Sequence, residues 1–179
     1  MIKRGLITIV CFFGIHTYAG ITEAIRQGDV AQTKVYLKHG ISPNFHIEEG
    51  DTPLHIAARY GYFNIVHILL SHNASPHARN IRGETPLHIA TYYAHTMIID
   101  LLLRQNIDIH AQDTFGDTPL HIATRRGFTY IVATLLANDA CPDIKNALED
   151  TPLYIATYHG YQDIIYTLLH YDADINTQN

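Results

Sequence analysis

A six-residue phrase recurs four times in this chain at intervals of 33 residues. Its sequence is Thr-Pro-Leu-His-Ile-Ala, and it begins at Thr52, Thr85, Thr118 and Thr151, with Tyr154 replacing the histidine in the last copy. A fixed period of this length indicates a repeat architecture, in which each unit buries its apolar face only against its neighbours. No linker interrupts the register, so the chain is predicted to fold as one array of similar units.

Each period contains signals for two helices. The threonine that opens the phrase is a favoured N-cap residue, and the proline after it suits the first helical position, where no N–H is needed. A second apolar stripe with i, i+4 spacing then predicts another helix. The stripe recurs at Ile65-Val66 with Leu69-Leu70, Ile98-Ile99 with Leu102-Leu103, Ile131-Val132 with Leu135-Leu136, and Ile164-Ile165 with Leu168-Leu169.

The phrase, its period and its flanks resemble the ankyrin repeat from about Ile21 to the C-terminus. The resemblance implies an all-α fold, an ankyrin repeat solenoid of helix-turn-helix units with β-hairpin loops. It divides the chain into an N-terminal segment outside the pattern, a degenerate first repeat and four further repeats, at residues 1–19, 20–46, 47–79, 80–112, 113–145 and 146–179.

The turn after each second helix is expected to need a residue in the left-handed conformation. Glycine tolerates that conformation best, followed by asparagine and aspartate. The register places these residue types at Gly40, Asn73, Asn106, Asp139 and Asp172. Two other turns, which elsewhere contain glycine, depart from the pattern at Ala94 and Glu149.

Residues 1–19 are predicted to be a signal peptide. Two basic residues precede an apolar run over 5–15 that is too short to span a bilayer, and Ala19 is a small residue suited to a cleavage site. The alternative is a buried helix of an N-terminal capping repeat. The register favours the signal peptide, because repeat-like sequence begins at Ala24, 33 residues before Ala57. Export is therefore predicted, to the periplasm or outside the cell, with no membrane span in the mature chain.

Charge and motif content disfavour several other function classes. The net charge of −5 disfavours nucleic acid as a partner, because phosphate binding needs a basic face. The histidines of the phrase, His55, His88 and His121, lie one repeat apart, too far from each other to share a zinc ion. The resemblance implies that they hydrogen-bond loop backbone instead. Without a nucleophile elbow, a phosphate loop or an H-E-x-x-H motif, we predict no catalytic residue, cofactor, metal site or enzymatic activity.

The variable positions indicate a protein-binding surface. Partners of ankyrin repeats usually contact the hairpin tips and the exposed end of the first helix, so the resemblance implies two groups of contact residues. We call them the helix-end set, which is Arg59, Tyr60, Tyr92, Tyr93, Arg125, Arg126, Tyr158 and His159, and the hairpin-tip set, which is Ile81, Arg82, Phe115 and Leu148. Tyrosine and arginine are enriched at interface hot spots. The alternative is an ordinary solvent-facing surface.

The predicted function is a non-enzymatic protein–protein interaction module that is exported and binds a partner protein through its concave face, for example as an effector acting on a host target. The alternative is a periplasmic scaffold or protector of a resident enzyme. Tyr92-Tyr93 beside Arg125-Arg126 should form an aromatic platform next to two guanidinium groups, which predicts an acidic partner segment with an aromatic or other apolar anchor.

Two further expectations concern assembly and source. The last repeat lacks a polar capping helix, so the chain is expected to be a monomer or a weak oligomer through that repeat. The chain has no tryptophan and uses isoleucine, tyrosine, asparagine and histidine heavily. Together with the predicted signal peptide, this usage resembles the small secreted ankyrin proteins of intracellular bacteria such as rickettsiae.

Export predicts that the mature protein begins at Gly20. N-terminal sequencing of protein recovered from a bacterial host, with its periplasm and medium separated from the cytosol, tests this. An intact Met1 terminus recovered from the cytosol would contradict the prediction.

Overall fold

The computed structural model describes residues 18–176, which contain ten helices and no β-strand. The described residues belong to two compact units, the first ending at Ser75 and the second beginning at Pro76. The predicted all-α fold of helix-turn-helix repeats is confirmed in both units. Residues 1–17 of the predicted signal peptide lie outside the described residues.

The described part of the first unit contains four helices around an aliphatic core. Helix α1 covers residues 18–26 and is followed by three more, α2 Val30–Lys38, α3 Pro53–Tyr60 and α4 Phe63–Ser71, with a short 3-10 turn at Glu48–Gly50. Ile21, Ile25, Leu54, Ile65 and Leu69 are fully buried. The first repeat therefore contributes apolar side chains to a core even though it lacks the six-residue phrase.

The second unit repeats one helix pair three times. Its helices are α5 Pro86–Tyr92, α6 Thr96–Leu103, α7 Pro119–Arg125, α8 Thr129–Leu136, α9 Pro152–His159 and α10 Gln162–His170. The first helices pack together, with α7 between α5 and α9, and α8 packs against α10. Leu87, Leu120 and Ile155 of the first helices are buried, as are Ile99, Leu135 and Leu168 of the second helices. These residues form the apolar faces predicted from the repeat pattern.

The predicted N-caps begin the first helices. Thr52, Thr85, Thr118 and Thr151 are the N-cap residues of α3, α5, α7 and α9, each followed by proline. In α9, the Tyr154 N–H donates to the Thr151 hydroxyl at 3.2 Å. The Thr118 hydroxyl likewise accepts the His121 N–H in α7, so in these two helices the cap satisfies a backbone donor that the first turn leaves without an intrahelical partner.

The left-handed turns are confirmed at four of the five predicted positions. Gly40, Asn73, Asp139 and Asp172 all have positive φ, as do Ala94 and Glu149 at the two departures. The prediction is wrong at Asn106. There the Gln105 N–H donates to the carbonyl of Leu102 at 2.9 Å and the Ile107 N–H donates to that of Gln105 at 2.7 Å, so a tighter turn replaces the expected cap.

In α5 and α7 of the second unit, the buried histidine of the phrase connects the helix to the following hairpin. His88 Nδ1 accepts a hydrogen bond from the Thr85 N–H at 3.1 Å, which assigns the ring proton to Nε2. His88 Nε2 lies 3.1 Å from the carbonyl oxygen of Asp117 and donates to it. His121 makes the same link from α7 to Asp150, also at 3.1 Å. The expected structural role of these two histidines is thus confirmed.

Burial keeps these imidazoles neutral. It lowers the pKa of His88 from 6.5 to about 4, because the hydrogen bond to the Asp117 carbonyl only partly offsets the loss of water around the charged ring. Burial lowers the pKa of His121 as well, against the attraction of the Asp117 carboxylate. Protonation would also place a proton on Nδ1, and this proton would point at the backbone N–H from which Nδ1 now accepts a hydrogen bond.

The depressed histidine pKa predicts loss of stability in mild acid. Between pH 6.5 and 4 the unfolded chain binds a proton at His88 that the folded chain does not, so stability falls as the pH falls. We expect His88 to lower the free energy of unfolding by about 2–3 kcal/mol between pH 7 and pH 4.5. Urea denaturation at intervals across this range measures the change.

The matched variants are His88→Gln and His170→Gln, the latter in an exposed position at the end of α10. We expect His88→Gln to be less stable at pH 7 but to show a shallower pH dependence, whereas His170→Gln keeps the wild-type profile. A wild-type free energy of unfolding that is constant from pH 7 to pH 4.5 would contradict the prediction.

Candidate functional site

The hairpin loops of the second unit are closed by one side chain each. Asp113 Oδ1 accepts the N–H groups of Phe115 at 2.8 Å and Asp117 at 2.9 Å. Asn146 Oδ1 does the same for Leu148 and Asp150, at 2.9 and 3.0 Å. A backbone hydrogen bond crosses each of these loops as well, from the Asp113 N–H to the Asp117 carbonyl and from the Asn146 N–H to the Asp150 carbonyl, both at 3.0 Å. Together these short-range hydrogen bonds fix the loop shape.

Neighbouring hairpins are joined through their backbones. The Thr114 N–H donates to the Arg82 carbonyl and the Ala147 N–H donates to the Phe115 carbonyl, both at 2.9 Å. A side chain at Gly116, which has a φ of +73°, would lie 2.5 Å from the Ala147 nitrogen, so only glycine permits this approach. The hairpins therefore present a fixed row of tips.

The hairpin-tip set projects apolar side chains from this row. Ile81, Phe115 and Leu148 are 69%, 65% and 75% exposed. Arg82 is also exposed and forms an ion pair with Glu84 at 3.0 Å. Exposed apolar residues on a rigid row are available for contact with a partner at little cost in conformational entropy.

The helix-end set of the first unit consists of Arg59 and Tyr60. Arg59 is half-buried and forms an ion pair with the buried Asp51, with a separation of 2.7 Å between Nη1 and Oδ2. Tyr60 is exposed, and its ring stacks on that of Tyr62 with 5.7 Å between centroids. At this position the arginine maintains the loop geometry, and the tyrosine offers the accessible surface.

In the second unit, the helix-end set forms an aromatic and cationic cluster. Tyr92 and Tyr93 are exposed and meet edge to face, with 5.0 Å between ring centroids. The guanidinium of Arg126, from the next repeat, lies 4.5 Å from the Tyr92 ring centroid and 5.5 Å from that of Phe128. Tyr93 stacks on His95. The predicted aromatic platform beside a guanidinium is present, with Arg126 as the cation.

Arg125 differs from the expectation of a second guanidinium available to a partner. Its two terminal nitrogens donate to both carboxylate oxygens of Asp117, one of them at 3.0 Å, and Asn146 donates to the same carboxylate at 2.8 Å. Burial alone would raise the pKa of Asp117, but these hydrogen bonds outweigh burial and lower it. The hydrogen bond with Asp117 also raises the pKa of Arg125. Arg125 is therefore half-buried and its charge is neutralised within the chain.

A cavity of about 610 Å³ opens beside this ion pair, between the hairpin tips and the helix ends of the last two repeats. We call it the Asp150 cavity. Its lining includes Phe115, Leu148, Asp150, Tyr154, Tyr158 and His159. Four of these belong to the two predicted sets, whereas the sequence did not single out Asp150 or Tyr154 as contact residues. The replacement of histidine by Tyr154 in the repeated phrase was the available signal for a special site.

Comparison with known families identifies the architecture. The family model described as "Ankyrin repeats (3 copies)" matches residues 21–113 and 94–179, which together cover most of the chain. No curated protein matches the chain. Within residues 18–176, no three or more His, Cys, Asp and Glu side chains are grouped so that they could hold a metal ion. No helix in that range is long and apolar enough to cross a bilayer.

The two adjacent arginines should respond differently to truncation. Arg125→Ala leaves a buried carboxylate with only part of its hydrogen bonds, so we expect it to lower the free energy of unfolding by about 1–3 kcal/mol. Arg126→Ala removes an exposed cation–π contact and should cost well under 1 kcal/mol. Urea melts of both variants at pH 7 measure the difference. Equal losses would mean that the Asp117 ion pair does not support the fold.

Proposed function

The chain belongs to the ankyrin repeat family, a family of protein–protein interaction modules, and we propose that it binds a partner protein through the helix-end and hairpin-tip sets of its second unit. The observation that carries this proposal is the cluster of Tyr92, Tyr93 and Arg126, exposed together on packed helices. The tyrosines provide large contact areas with few rotatable bonds, and arginine is enriched at interface hot spots. Ankyrin repeat proteins are generally non-enzymatic, which agrees with a binding function.

The chemistry of this cluster favours a mixed partner segment. Arg126 is the guanidinium that the cluster presents to solvent, so an acidic partner group is expected to meet it there. The two tyrosine rings offer an apolar surface for an aromatic or aliphatic anchor beside that group. Affinity should fall with ionic strength through the arginine contribution and retain the contribution of the tyrosines.

We also propose that the protein is exported, on the basis of the predicted signal peptide in residues 1–19. An exported interaction module is suited to act as an effector on a host target, and the alternative is a periplasmic scaffold or protector of a resident enzyme. The two alternatives differ in where the mature protein accumulates. Fractionation of the native cells into periplasm and medium, followed by capture of the bound partner from the same fraction, distinguishes them.

The double variant Tyr93→Ala, Arg126→Ala tests the binding face. Both side chains are exposed, so we expect the variant to fold normally and to bind the captured partner at least tenfold more weakly than the wild type. Isothermal titration calorimetry with the purified partner measures the affinity, and a urea melt checks the fold.

The matched control is Tyr130→Ala, Arg104→Ala. It removes the same two residue types from exposed positions of the same unit, in α8 and at the end of α6. We expect this control to retain the wild-type affinity. If the folded Tyr93, Arg126 variant also binds with unchanged affinity, the proposed face is not the binding site.

A further inference from the structure

The residue before each N-cap threonine is acidic in all four repeats that contain the phrase, at Asp51, Glu84, Asp117 and Asp150. Eight residues later the chain has Arg59, Tyr92, Arg125 and Tyr158 in the same order. Wherever arginine occupies the second position, its guanidinium binds the carboxylate of its own repeat, as in the pairs Arg59–Asp51 and Arg125–Asp117. The repeat thus contains a guanidinium-binding position that the chain itself fills in two cases.

The two repeats with tyrosine at the second position differ from each other. Glu84 is engaged by its own hairpin, because Asn80 and Arg82 donate to its carboxylate at 2.7 and 3.0 Å. Asp150 is not engaged in this way. Among residues 18–176, no side chain forms a hydrogen bond or an ion pair with its carboxylate, and Arg125 acts on it only through a longer-range attraction.

The backbone of Asp150 is nevertheless held as firmly as that of Asp117. Its N–H donates to Asn146 Oδ1 at 3.0 Å, and His121 donates to its carbonyl at 3.1 Å. The side chain is half-buried and lines the Asp150 cavity. A carboxylate on a fixed backbone that lines a cavity of about 610 Å³ is available to a cation that enters from outside.

Aromatic rings surround the space that a cation would enter. Tyr154 and Tyr158 stack with 6.5 Å between ring centroids, and Tyr158 meets His159 edge to face at 5.3 Å. The faces of tyrosine rings attract cations, and a planar guanidinium stacks on them more readily than an ammonium does. The neighbouring Arg125 opposes an incoming cation weakly, since the Asp117 carboxylate already balances its charge.

We propose that the Asp150 cavity binds an arginine side chain of the partner protein, with the guanidinium placed against Asp150 as Arg125 is placed against Asp117. This inference rests on the proposed function, because the arginine is supplied by the protein that occupies the helix-end and hairpin-tip sets. The binding segment of that partner carries an arginine for the Asp150 cavity and an acidic residue for Arg126. The net charge of −5 favours the approach of the cationic part.

The probe is the capped peptide acetyl-Gly-Arg-Gly-amide, titrated into the full ¹⁵N-labelled chain at low salt and followed by backbone amide shifts. The control peptide contains citrulline, which has nearly the shape of arginine without its charge, and a second contains lysine. We expect shifts for residues of the Asp150 cavity with the arginine peptide and at least fivefold weaker binding of the other two. Equal binding of the citrulline or lysine peptide would overturn the assignment to arginine.

Two variants test whether the arginine peptide binds at Asp150. Asp150→Asn removes the carboxylate charge, and Tyr158→Arg supplies from within the chain the guanidinium that the other repeats have. We expect both variants to bind the arginine peptide at least fivefold more weakly, and Tyr158→Arg to melt at a higher temperature than the wild type. If either folded variant binds the arginine peptide as the wild type does, the proposal is wrong.

The peptide experiment separates this inference from the proposed function. Loss of partner binding in the Tyr93, Arg126 variant, together with no Asp150-dependent binding of the arginine peptide, would uphold the function and overturn the arginine site. Asp150-dependent binding of the peptide, with partner affinity unchanged in the Tyr93, Arg126 variant, would uphold the cavity as an arginine site and overturn the proposed binding face.

Discussion

The neutral imidazole in the first turns of α5 and α7 is the contact on which the second unit depends. It accepts a backbone N–H of its own N-cap through Nδ1 and donates through Nε2 to a carbonyl of the next hairpin, at Asp117 for His88 and at Asp150 for His121. One side chain thereby caps the N-terminus of its helix and positions the following hairpin. The cost is that the ring must remain uncharged, because the site excludes water and already directs a donor at Nδ1.

The histidine hydrogen bonds fix the backbone of residues that lie at the candidate site. Asp117 and Asp150 are the two residues whose carbonyls the histidines hold, and their carboxylates lie at the candidate site. The hairpin tips are held in the same row by backbone hydrogen bonds between successive loops. Variation at positions such as 115, 148 and 158 therefore changes the surface without moving the backbone that carries it.

The fold could be predicted from the sequence, because the caps, the apolar stripes and most left-handed turns depend on residues within one repeat. Asn106 was the exception, because a turn one residue earlier already satisfied the end of α6. The candidate site was harder to predict from the sequence. Asp117 lies outside α7, so helical periodicity gave no reason to bring it to Arg125, and the pair appears only when the hairpin folds back on the helix. Asp150 was missed for the same reason.

The four acidic positions show how one repeat shifts from supporting the fold to recognising a ligand. Asp51 and Asp117, which arginines cover, are 2% and 5% exposed, whereas Asp150 is half-buried. Leaving a half-buried carboxylate without an ion pair costs less than leaving a buried one unpaired, so a repeat with tyrosine in place of arginine can leave its carboxylate uncovered. The same substitution adds an aromatic wall to the space that the guanidinium would fill. A repeat can therefore gain a cation site through one residue, because the histidine link keeps the backbone of the acidic residue in place whether or not a guanidinium covers its carboxylate.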